Sequence, residues 1–389
     1  MMKQKKKALV AATIYGFINS FESNELRVLQ ENGYEVHCLA NPFNTSAGVN
    51  SNTDKIDGLG GIYKHKWSIS RSPLSKENIR AFKEIKSLLY SEHFNLIHCH
   101  TPMGGVIARL AAKKYRHNGT KVIYTAHGFH FFEGAPLRNW LIYYPIEWFL
   151  SFCTDVLITI NKEDYKRAQK HFHAKKVVYV PGVGVDISKF STSLLTASER
   201  EELRKEIGVE AGQILLLSVG ELNENKNHKV VIRAIAELSS EQKSRVVYII
   251  AGAGGKKNEL EKLAVELGIA EHVHFLGYRS DVAKLYDTAD IYILPSLREG
   301  LNVSLMEAMA SSLPCIAGKI RGNIDLVDEN GGSLFASSSV ESCRSSLERL
   351  IMNGNEVRSK MGKYNRKKIQ DFSKEVVGKR ITSVYRLAK

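Results

Sequence analysis

The chain has 389 residues, 43% of them hydrophobic, with 29 Gly and only 8 Pro. This composition excludes a disordered or fibrous protein, and the length favours two domains over a single core. The formal net charge is +14, and no run of about 18 apolar residues is present that could span a membrane.

The charge is distributed unevenly along the chain. Residues 1–190 hold 26 Lys and Arg against 15 Asp and Glu, residues 191–350 hold 18 against 23, and residues 351–389 hold 11 against 3. The two basic parts predict a face for an anionic partner, which could be a membrane surface, a phosphate-bearing acceptor or nucleic acid. A basic surface that is merely solvated is an equal alternative.

Two features indicate a cytoplasmic protein. The apolar stretch after the basic N-terminus, residues 8–12, is too short for a secretory signal and fits a first strand. The five cysteines are scattered and form no CxxC pair, which is typical of reduced core residues: Cys38, Cys99, Cys153, Cys315 and Cys343.

Apolar runs alternate with amphipathic stretches in both halves of the chain. They predict strands at 8–13, 35–39, 96–99, 122–124, 156–160, 177–180, 214–219, 246–251, 273–276, 291–294 and 315–317. Helices are predicted at 79–90, 106–115, 230–238, 257–267, 282–288 and 303–311. Near-continuous apolar strands between helices indicate parallel sheets covered on both faces. We therefore expect an α/β protein with two Rossmann-like domains that meet near Pro181–Asp186.

The most specific motif follows the predicted strand at 291–294 and reads PSLREGLNVSLMEAMA from Pro295 to Ala310. Gly300 permits close approach of a ligand, and Asn302 is a good N-cap for a helix whose N-terminus suits a diphosphate. Glu299 can accept hydrogen bonds from sugar hydroxyls, and Glu307 lies about two turns along that helix, within reach of a ribose. A bare Glu-x7-Glu spacing is common by chance, but the whole string is far more specific.

Three other patterns carry less weight. Gly252-Ala253-Gly254-Gly255 has Lys257 where a dinucleotide fingerprint needs its third glycine, which excludes NAD. His98-x-His100 lacks an obvious third metal ligand, so strand-end packing or acceptor contact is favoured, and no Asp-x-Asp pair is seen. The aromatic segment 140–150 suits a membrane interface, but core packing under the first sheet is favoured because few charges mark a polar face.

The segment around Glu299 and Glu307 resembles the Glu-x7-Glu motif of the retaining glycosyltransferases of family 4, which have the two-domain GT-B fold. Four further segments resemble loops of that family: Val219–Leu222 with Lys226-Asn227, Gly277–Asp281, Thr125–Gly128, and the hinge Pro181–Asp186. Asp325, in Arg321–Leu326, fits the capsule and exopolysaccharide subgroup. The likeness spans nearly the whole chain and is densest over residues 214–327.

The resemblance implies a catalytic set of Glu299, His127 and Lys226. It also implies that the donor is bound by Gly16, Glu221, Arg279, Arg298, Gly300, Leu301, Asn302 and Glu307. One departure stands out, because the family usually has an Arg that contacts the diphosphate where this chain has Glu221. Lys226 remains, and Arg298 or Arg321 can compensate.

The resemblance further implies an acceptor domain at 1–189, completed by a C-terminal helix at about 370–389, and a nucleotide-sugar domain at 190–369, with a cleft between them. We expect retaining, metal-independent transfer from a UDP-sugar, without a cofactor. The expected acceptor is a polyprenyl diphosphate glycan at the inner membrane leaflet. A nucleotide-sugar epimerase of the same fold is the alternative. A non-catalytic sugar-nucleotide-binding partner is a third hypothesis, against which the intact glutamate pair argues.

Overall fold

The computed structural model describes residues 5–44, 49–190 and 194–387. The chain divides into two compact units. The first unit comprises Met1–Val183 and Glu375–Lys389, and the second comprises Gly184–Lys374. The boundary expected at residue 189 lies six residues beyond this division.

The first unit is built on a parallel seven-stranded sheet with the strand order β5-β2-β1-β6-β7-β8-β9. A separate two-stranded antiparallel ribbon pairs β3 with β4. The strands are β1 (Lys7–Ile14), β2 (Glu35–Asn41), β3 (Phe43–Asn44), β4 (Val49–Asn50), β5 (Ile62–Lys66), β6 (Leu96–Cys99), β7 (Lys121–Ala126), β8 (Val156–Thr159) and β9 (Lys176–Tyr179).

Helices cover both faces of this sheet, and they are α1 (Tyr15–Phe17), α2 (Ser23–Glu31), α3 (Asp54–Leu59), α4 (Glu77–Glu92), α5 (Pro102–Ala112), α6 (Leu137–Ser151) and α7 (Lys162–His171). A π-helical turn, Ile18–Glu22, links α1 to α2. Alternate residues of β1 enter different cores, because successive side chains of a strand point to opposite faces. Val10 packs with α2 and the C-terminal helix, whereas Leu9 packs with α4 and α5. This two-sided burial explains the continuous apolar run at the start of the sequence.

The second unit has a parallel six-stranded sheet with the order β12-β11-β10-β13-β14-β15. Its strands are β10 (Ile214–Val219), β11 (Val246–Ala251), β12 (Val273–Gly277), β13 (Ile291–Leu294), β14 (Cys315–Gly318) and β15 (Gly332–Phe335). The helices that follow α7 are α8 (Ala197–Glu206), α9 (His228–Ala236), α10 (Ser240–Ser244), α11 (Lys257–Glu266), α12 (Val282–Thr288), α13 (Val303–Ala310), α14 (Asn323–Leu326), α15 (Val340–Met352), α16 (Asn355–Lys368) and α17 (Lys374–Leu387). Helix α17 packs through Val377, Ile381 and Val384 in the core of the first unit.

The expected α/β class with two parallel, Rossmann-like sheets is confirmed. Two strands of the parallel sheets, β5 and β15, were not predicted, and both lie at a sheet edge; the short β3–β4 ribbon was not predicted either. β5 has the sequence IYKHK with no buried residue, and β15 begins with Gly332, so neither forms the apolar run that marks a central strand. Within the described ranges, no helix combines the length and apolar character needed to cross a bilayer.

Two expectations need correction. The sequence indicated an acidic middle part, but the second unit has no net negative charge, because it also includes the basic residues 351–374. That unit has 26 Lys and Arg against 26 Asp and Glu, and the first unit has 29 against 15. The second correction concerns α6, for which core packing was favoured. Its inner face is buried, but Leu141 and Phe149 are 69% and 53% exposed on the outer face.

Candidate active site

The loop between β13 and α13 lies at the carboxyl edge of the second sheet. All four residues of β13 are buried, and the chain then crosses residues 295–302 before α13 begins. The side chain of Asn302 accepts a hydrogen bond of 3.0 Å from the backbone N–H of Leu305, so the expected N-cap is confirmed. The first backbone N–H groups of α13 remain without helical partners, which makes this helix start favourable for an anion.

Lys226 and Glu299 meet at this edge. Lys226 Nζ lies 2.7 Å from Glu299 Oε1, and the two side chains are 17% and 14% exposed. The pair brings together the loops that follow β10 and β13, which are neighbouring strands of the sheet. A carboxylate therefore holds the Lys226 ammonium in place beside the start of α13.

Hydrogen bonds to backbone carbonyl oxygens connect the same two loops. The N–H of Leu297 donates to the carbonyl oxygen of Asn225 at 2.8 Å, and Asn225 Nδ2 donates to the carbonyl oxygen of Arg298 at 3.0 Å. Asn227 adopts a left-handed backbone conformation with φ of 53°, and its Nδ2 donates to the carbonyl oxygens of Pro295 and Ser337. These contacts fix the spacing of Lys226 and Glu299. Sequence reasoning missed Asn225 and did not single out the side chain of Asn227. The signal that could have identified Asn227 is that asparagine favours turns and tolerates a left-handed backbone.

Arg321 is a buried cation that contacts the backbone of the same loop. It is 4% exposed, and its Nε donates to the carbonyl oxygen of Glu299 at 3.3 Å. At the neighbouring Gly322, a Cβ atom would lie 2.1 Å from the carbonyl oxygen of Gly300, and φ is 79°. The backbone at Gly300 is therefore packed so closely that position 322 requires glycine. This places Arg321, one of the two cations expected to compensate for Glu221, against the Glu299 loop.

Glu307 lies on α13 beside a buried tyrosine. The hydroxyl of Tyr286 lies 3.2 Å from Glu307 Oε2 and 3.1 Å from the carbonyl oxygen of Ser304. Burial, together with the charge of Glu307, raises the pKa of Tyr286 well above its usual range. The tyrosine thus stays neutral and orients the carboxylate. Sequence reasoning missed it, since a tyrosine in an amphipathic helix reads as a core residue.

The remaining donor candidates of the second unit are arranged differently. The guanidinium of Arg279 makes two hydrogen bonds of 2.8 Å to the carboxylate of Asp281 and one of 3.2 Å to Glu206. Arg279 is therefore paired with two carboxylates of the protein itself. Glu221 follows β10 and is exposed, and the side chain of Arg298 is exposed as well. Leu301 is 8% exposed, so little of it is available to a ligand.

His127 lies at the carboxyl edge of the first sheet, directly after β7. Its Nε2 is 3.1 Å from His100 Nδ1 and 3.4 Å from Glu22 Oε1, and Phe17 meets its ring edge-on. Burial, reinforced by His100, lowers the pKa of His127 to about 3. The imidazole is therefore neutral at physiological pH. Gly16 lies in α1 directly after β1, and a Cβ atom at this position would lie 3.5 Å from Ser51 Oγ, so the glycine is not required by packing.

A buried polar cluster extends from His127 and was not expected from the sequence. His98 Nδ1 lies 2.6 Å from Glu25 Oε1 and 3.0 Å from the hydroxyl of Tyr385, while its Nε2 lies 2.7 Å from Thr125 Oγ1. Burial alone would raise the pKa of Glu25, but His98 and His100 hold it well below its usual range. Burial and the neighbouring Glu25 raise the pKa of Glu22 well above its usual range. Glu22 ends the π-helical turn and Glu25 lies in the first turn of α2, far in sequence from the histidines, so only the fold reveals that they meet.

This cluster corrects the expectation that His98 and His100 lack a third ligand. Two groups of donor atoms have metal-ligand spacing, Glu22 with His100 and His127, and Glu25 with His98 and His100. Imidazole nitrogen and carboxylate oxygen are ligands that Zn²⁺ accepts. In the second group, Glu25 Oε1 lies 2.6 Å from His98 Nδ1 and 3.4 Å from His100 Nε2. Among the described residues, neither Glu25 Oε1 nor His100 Nε2 has a hydrogen-bond partner of good geometry, so this group keeps unsatisfied donor atoms.

Comparisons with known proteins place this chain in a family. The family model described as glycosyl transferases group 1 matches residues 199–368, and the one described as glycosyl transferase 4-like matches residues 8–161. The protein EpsD of Bacillus subtilis (strain 168) is 35% identical over 383 residues, which cover 98% of this chain and 96% of EpsD. The chain belongs to the glycosyltransferases of family 4.

Further relatives of this glycosyltransferase agree with that assignment. The UDP-Gal:alpha-D-GlcNAc-diphosphoundecaprenol alpha-1,3-galactosyltransferase of Escherichia coli is 29% identical over 290 residues, covering 72% of this chain and 73% of that enzyme. The crystal structure of Anabaena Alr3699/HepE in complex with UDP has a TM-score of 0.77 at 17% identity and covers 98% of this chain and 99% of that one. A glycosyltransferase of Rickettsia africae gives a TM-score of 0.77 at 15% identity, covering 99% of both chains. These structures establish the GT-B fold.

The glycosyltransferase thus has one candidate binding region in each unit. In the second unit, Lys226, the start of α13 and the buried Arg321 surround the Glu299 loop with positive charge, which suits a diphosphate. In the first unit, His127 lines an apolar cavity of about 890 Å³ together with Ile142 and Tyr143. A cavity of this size can hold an extended organic ligand.

Proposed function

We propose that this glycosyltransferase transfers a hexose or N-acetylhexosamine from a UDP-sugar to a polyprenyl diphosphate-linked glycan in surface polysaccharide biosynthesis. Transfer proceeds with retention and requires neither a metal ion nor a cofactor. The observation that carries the proposal is the Lys226–Glu299 pair, held at 2.7 Å beside the capped start of α13.

The proposed chemistry follows from where charge develops. Breaking the anomeric bond leaves negative charge on the diphosphate, which Lys226 and the free N–H groups of α13 stabilise by preorganised electrostatics. Glu299 accepts hydrogen bonds from sugar hydroxyls, and Glu307 binds the ribose. The departing phosphate takes the proton of the acceptor hydroxyl, so no side-chain nucleophile is needed. His127 of the first unit, with its imidazole neutral, is proposed to contact the donor sugar.

The relatives support the choice of donor and acceptor. HepE has been crystallised with UDP and with UDP-glucose. The name of the Escherichia coli relative specifies UDP-Gal as donor and a diphosphoundecaprenol-linked sugar as acceptor. The whole net charge of +14 falls on the first unit, which supports attachment to the anionic inner leaflet through that unit.

Incubation with a panel of UDP-sugars tests the proposal against the epimerase alternative. A transferase without acceptor hydrolyses its donor slowly, so we expect free UDP and free sugar from one or two members of the panel. An epimerase would instead return a nucleotide-linked sugar of inverted configuration. None of the relatives named above is described as an epimerase.

A further inference from the structure

Helix α6 exposes an apolar face. Its exposed side chains include Leu137 at 73%, Leu141 at 69%, and Ile142 and Phe149 at 53%. Ile146, Trp148 and Phe152 extend the same surface. Within Leu137–Phe152, all of which the structure describes, Arg138 is the one exposed charged side chain. An apolar surface of this extent on a charged protein marks a contact site.

The inner face of α6 is fixed, so the helix cannot turn to bury its outer face. Glu147 forms a buried ion pair of 2.8 Å with Arg109 of α5 and lies 3.2 Å from the hydroxyl of Tyr124. Tyr143 stacks on His130 with ring centroids 4.5 Å apart. Rotating α6 would leave a buried charge without its partner, which is strongly unfavourable.

Cationic side chains border the apolar face at its C-terminal end. A hollow of about 620 Å³ is lined by Trp148, Phe149 and Phe152 and by Lys113, Arg116 and Lys175. Arg116 and Lys175 share the single carboxylate of Asp155, and Lys113 is exposed. The surface therefore combines exposed aromatic rings with an excess of positive charge.

We propose that the outer face of α6 is a bilayer-contact surface, which places its apolar side chains at the headgroup–acyl boundary of an anionic membrane. Tryptophan and other apolar side chains flanked by Lys and Arg are the residues that such a boundary accommodates. Charge argues against a second copy of this chain as the occupant. A symmetric contact would bring two cationic rims together, each on a unit of net charge +14.

This surface adjoins the candidate site of the first unit. Ile142 and Ile146 are exposed on α6 and also line the 890 Å³ cavity that His127 lines. A polyprenyl chain leaving the bilayer along α6 would thus bring its diphosphate-linked sugar toward His127. This step rests on the proposed function, whereas the membrane contact itself does not.

Tryptophan fluorescence provides a direct test with the full chain. Trp67 is fully buried and Trp140 is packed against Phe131 and Tyr144, so Trp148 is the exposed reporter. With phosphatidylglycerol vesicles we expect blue-shifted emission that brominated acyl chains quench, and loss of that response in Trp148→Phe. Unquenched emission, or quenching that survives in Trp148→Phe, would overturn the proposal.

Co-sedimentation with the same vesicles separates this surface from general basic attraction. The double variant Leu141→Ser/Phe149→Ser should lower the partition coefficient at least about tenfold, because two large apolar groups are removed from the contact. The matched control, Ile79→Ser/Tyr90→Ser on α4, removes two exposed apolar side chains of the same unit and should bind as the wild type does. Equal loss in both variants would contradict the proposal.

Two further readouts keep the outcomes distinct. Thermal unfolding identifies a variant that fails to fold. If the wild-type chain dimerises in solution and the variant Leu141→Ser/Phe149→Ser is monomeric, the outer face of α6 binds a second copy of the chain, which would overturn the proposal. Wild-type hydrolysis of a UDP-sugar reports on the proposed function separately, since quenching without hydrolysis would reject the activity and keep the surface.

Discussion

Lys226 and Glu299 are 73 residues apart in the sequence and 2.7 Å apart in the structure. Each could be singled out from its motif, but their pairing depends on β10 and β13 being neighbours in the sheet. The pair has a physical consequence. Glu299 pairs with Lys226 in the structure, and under the proposed function the diphosphate would supply a second anionic partner for the same ammonium.

Removing the charge of either glutamate should impair transfer. Glu299→Gln and Glu307→Gln each lose charged hydrogen bonds to the donor, which are worth about 1.5–3 kcal/mol, so we expect turnover to fall roughly ten- to a hundredfold. Thermal unfolding should change little. The control is Glu259→Gln on the exposed surface of α11. Near wild-type turnover in both site variants would reject the assignment.

His228 allows a test of the pH dependence of stability. It is buried, its Nδ1 lies 2.8 Å from the hydroxyl of Tyr248, and burial together with Lys226 lowers its pKa to about 4. In the unfolded chain its pKa is about 6.5, so the unfolded state binds the extra proton. Stability should therefore fall as the pH decreases from about 6.5 to about 4, by at most about 1.4 kcal/mol per pH unit for this group.

The variant His228→Gln should show a weaker loss of stability over that pH range, as measured by urea unfolding. His117→Gln, at an exposed site, is the control and should follow the wild type. Identical pH profiles for wild type and His228→Gln would show that this histidine is not held neutral by the fold.

At the scale of helices and strands, the sequence predicted the central elements and missed the edges. Buried parallel strands such as β1 and β11 are apolar throughout and therefore visible, whereas β5 at a sheet edge is not. Helix α6 was not among the predicted helices, and the core packing favoured for segment 140–150 holds only for its inner face, because apolar residues on most sides of a helix do not indicate which face is buried. Glu22 and Glu25 escaped notice because their histidine partners are distant in sequence.

The cap of α13 connects helix stability with donor binding. Asn302→Ala removes the acceptor for the Leu305 N–H and should cost about 1 kcal/mol of stability. UDP affinity should also fall, since the helix start frays. Asn302→Ser retains a capping oxygen and should recover most of both losses. Calorimetric titration with UDP measures the effect. Equal UDP affinity in wild type and Asn302→Ala would show that the start of α13 does not contribute to donor binding.

For the whole molecule, the charges divide between the units more sharply than along the sequence. The first unit carries +14 and the second is neutral, so attraction to an anionic surface acts on one unit. The charged residues can be counted from the sequence, but only the structure shows that the basic segment 351–374 belongs to the second unit. Salt should weaken such attraction, because the Debye length is about 10 Å at 0.1 M.

The proposed metal independence is a property of the enzyme as a whole. We expect transfer to continue after treatment with a chelator, because Lys226 and α13 supply the positive charge at the diphosphate. Elemental analysis of the purified protein completes the test, given the donor spacing of Glu22, His100 and His127. Complete loss of turnover that Mg²⁺ or Mn²⁺ restores would contradict the expectation.

The stereochemistry of the product tests the central claim most directly. The purified chain is incubated with the UDP-sugar that it hydrolyses and with short-chain polyprenyl diphosphate-linked sugars, and NMR defines the new anomeric centre. From an α-linked donor we expect an α-linked product, formed roughly ten- to a hundredfold more slowly by Glu299→Gln. A β-linked product would contradict retention, and absence of any glycosylated lipid across the acceptor panel would contradict the proposed transfer.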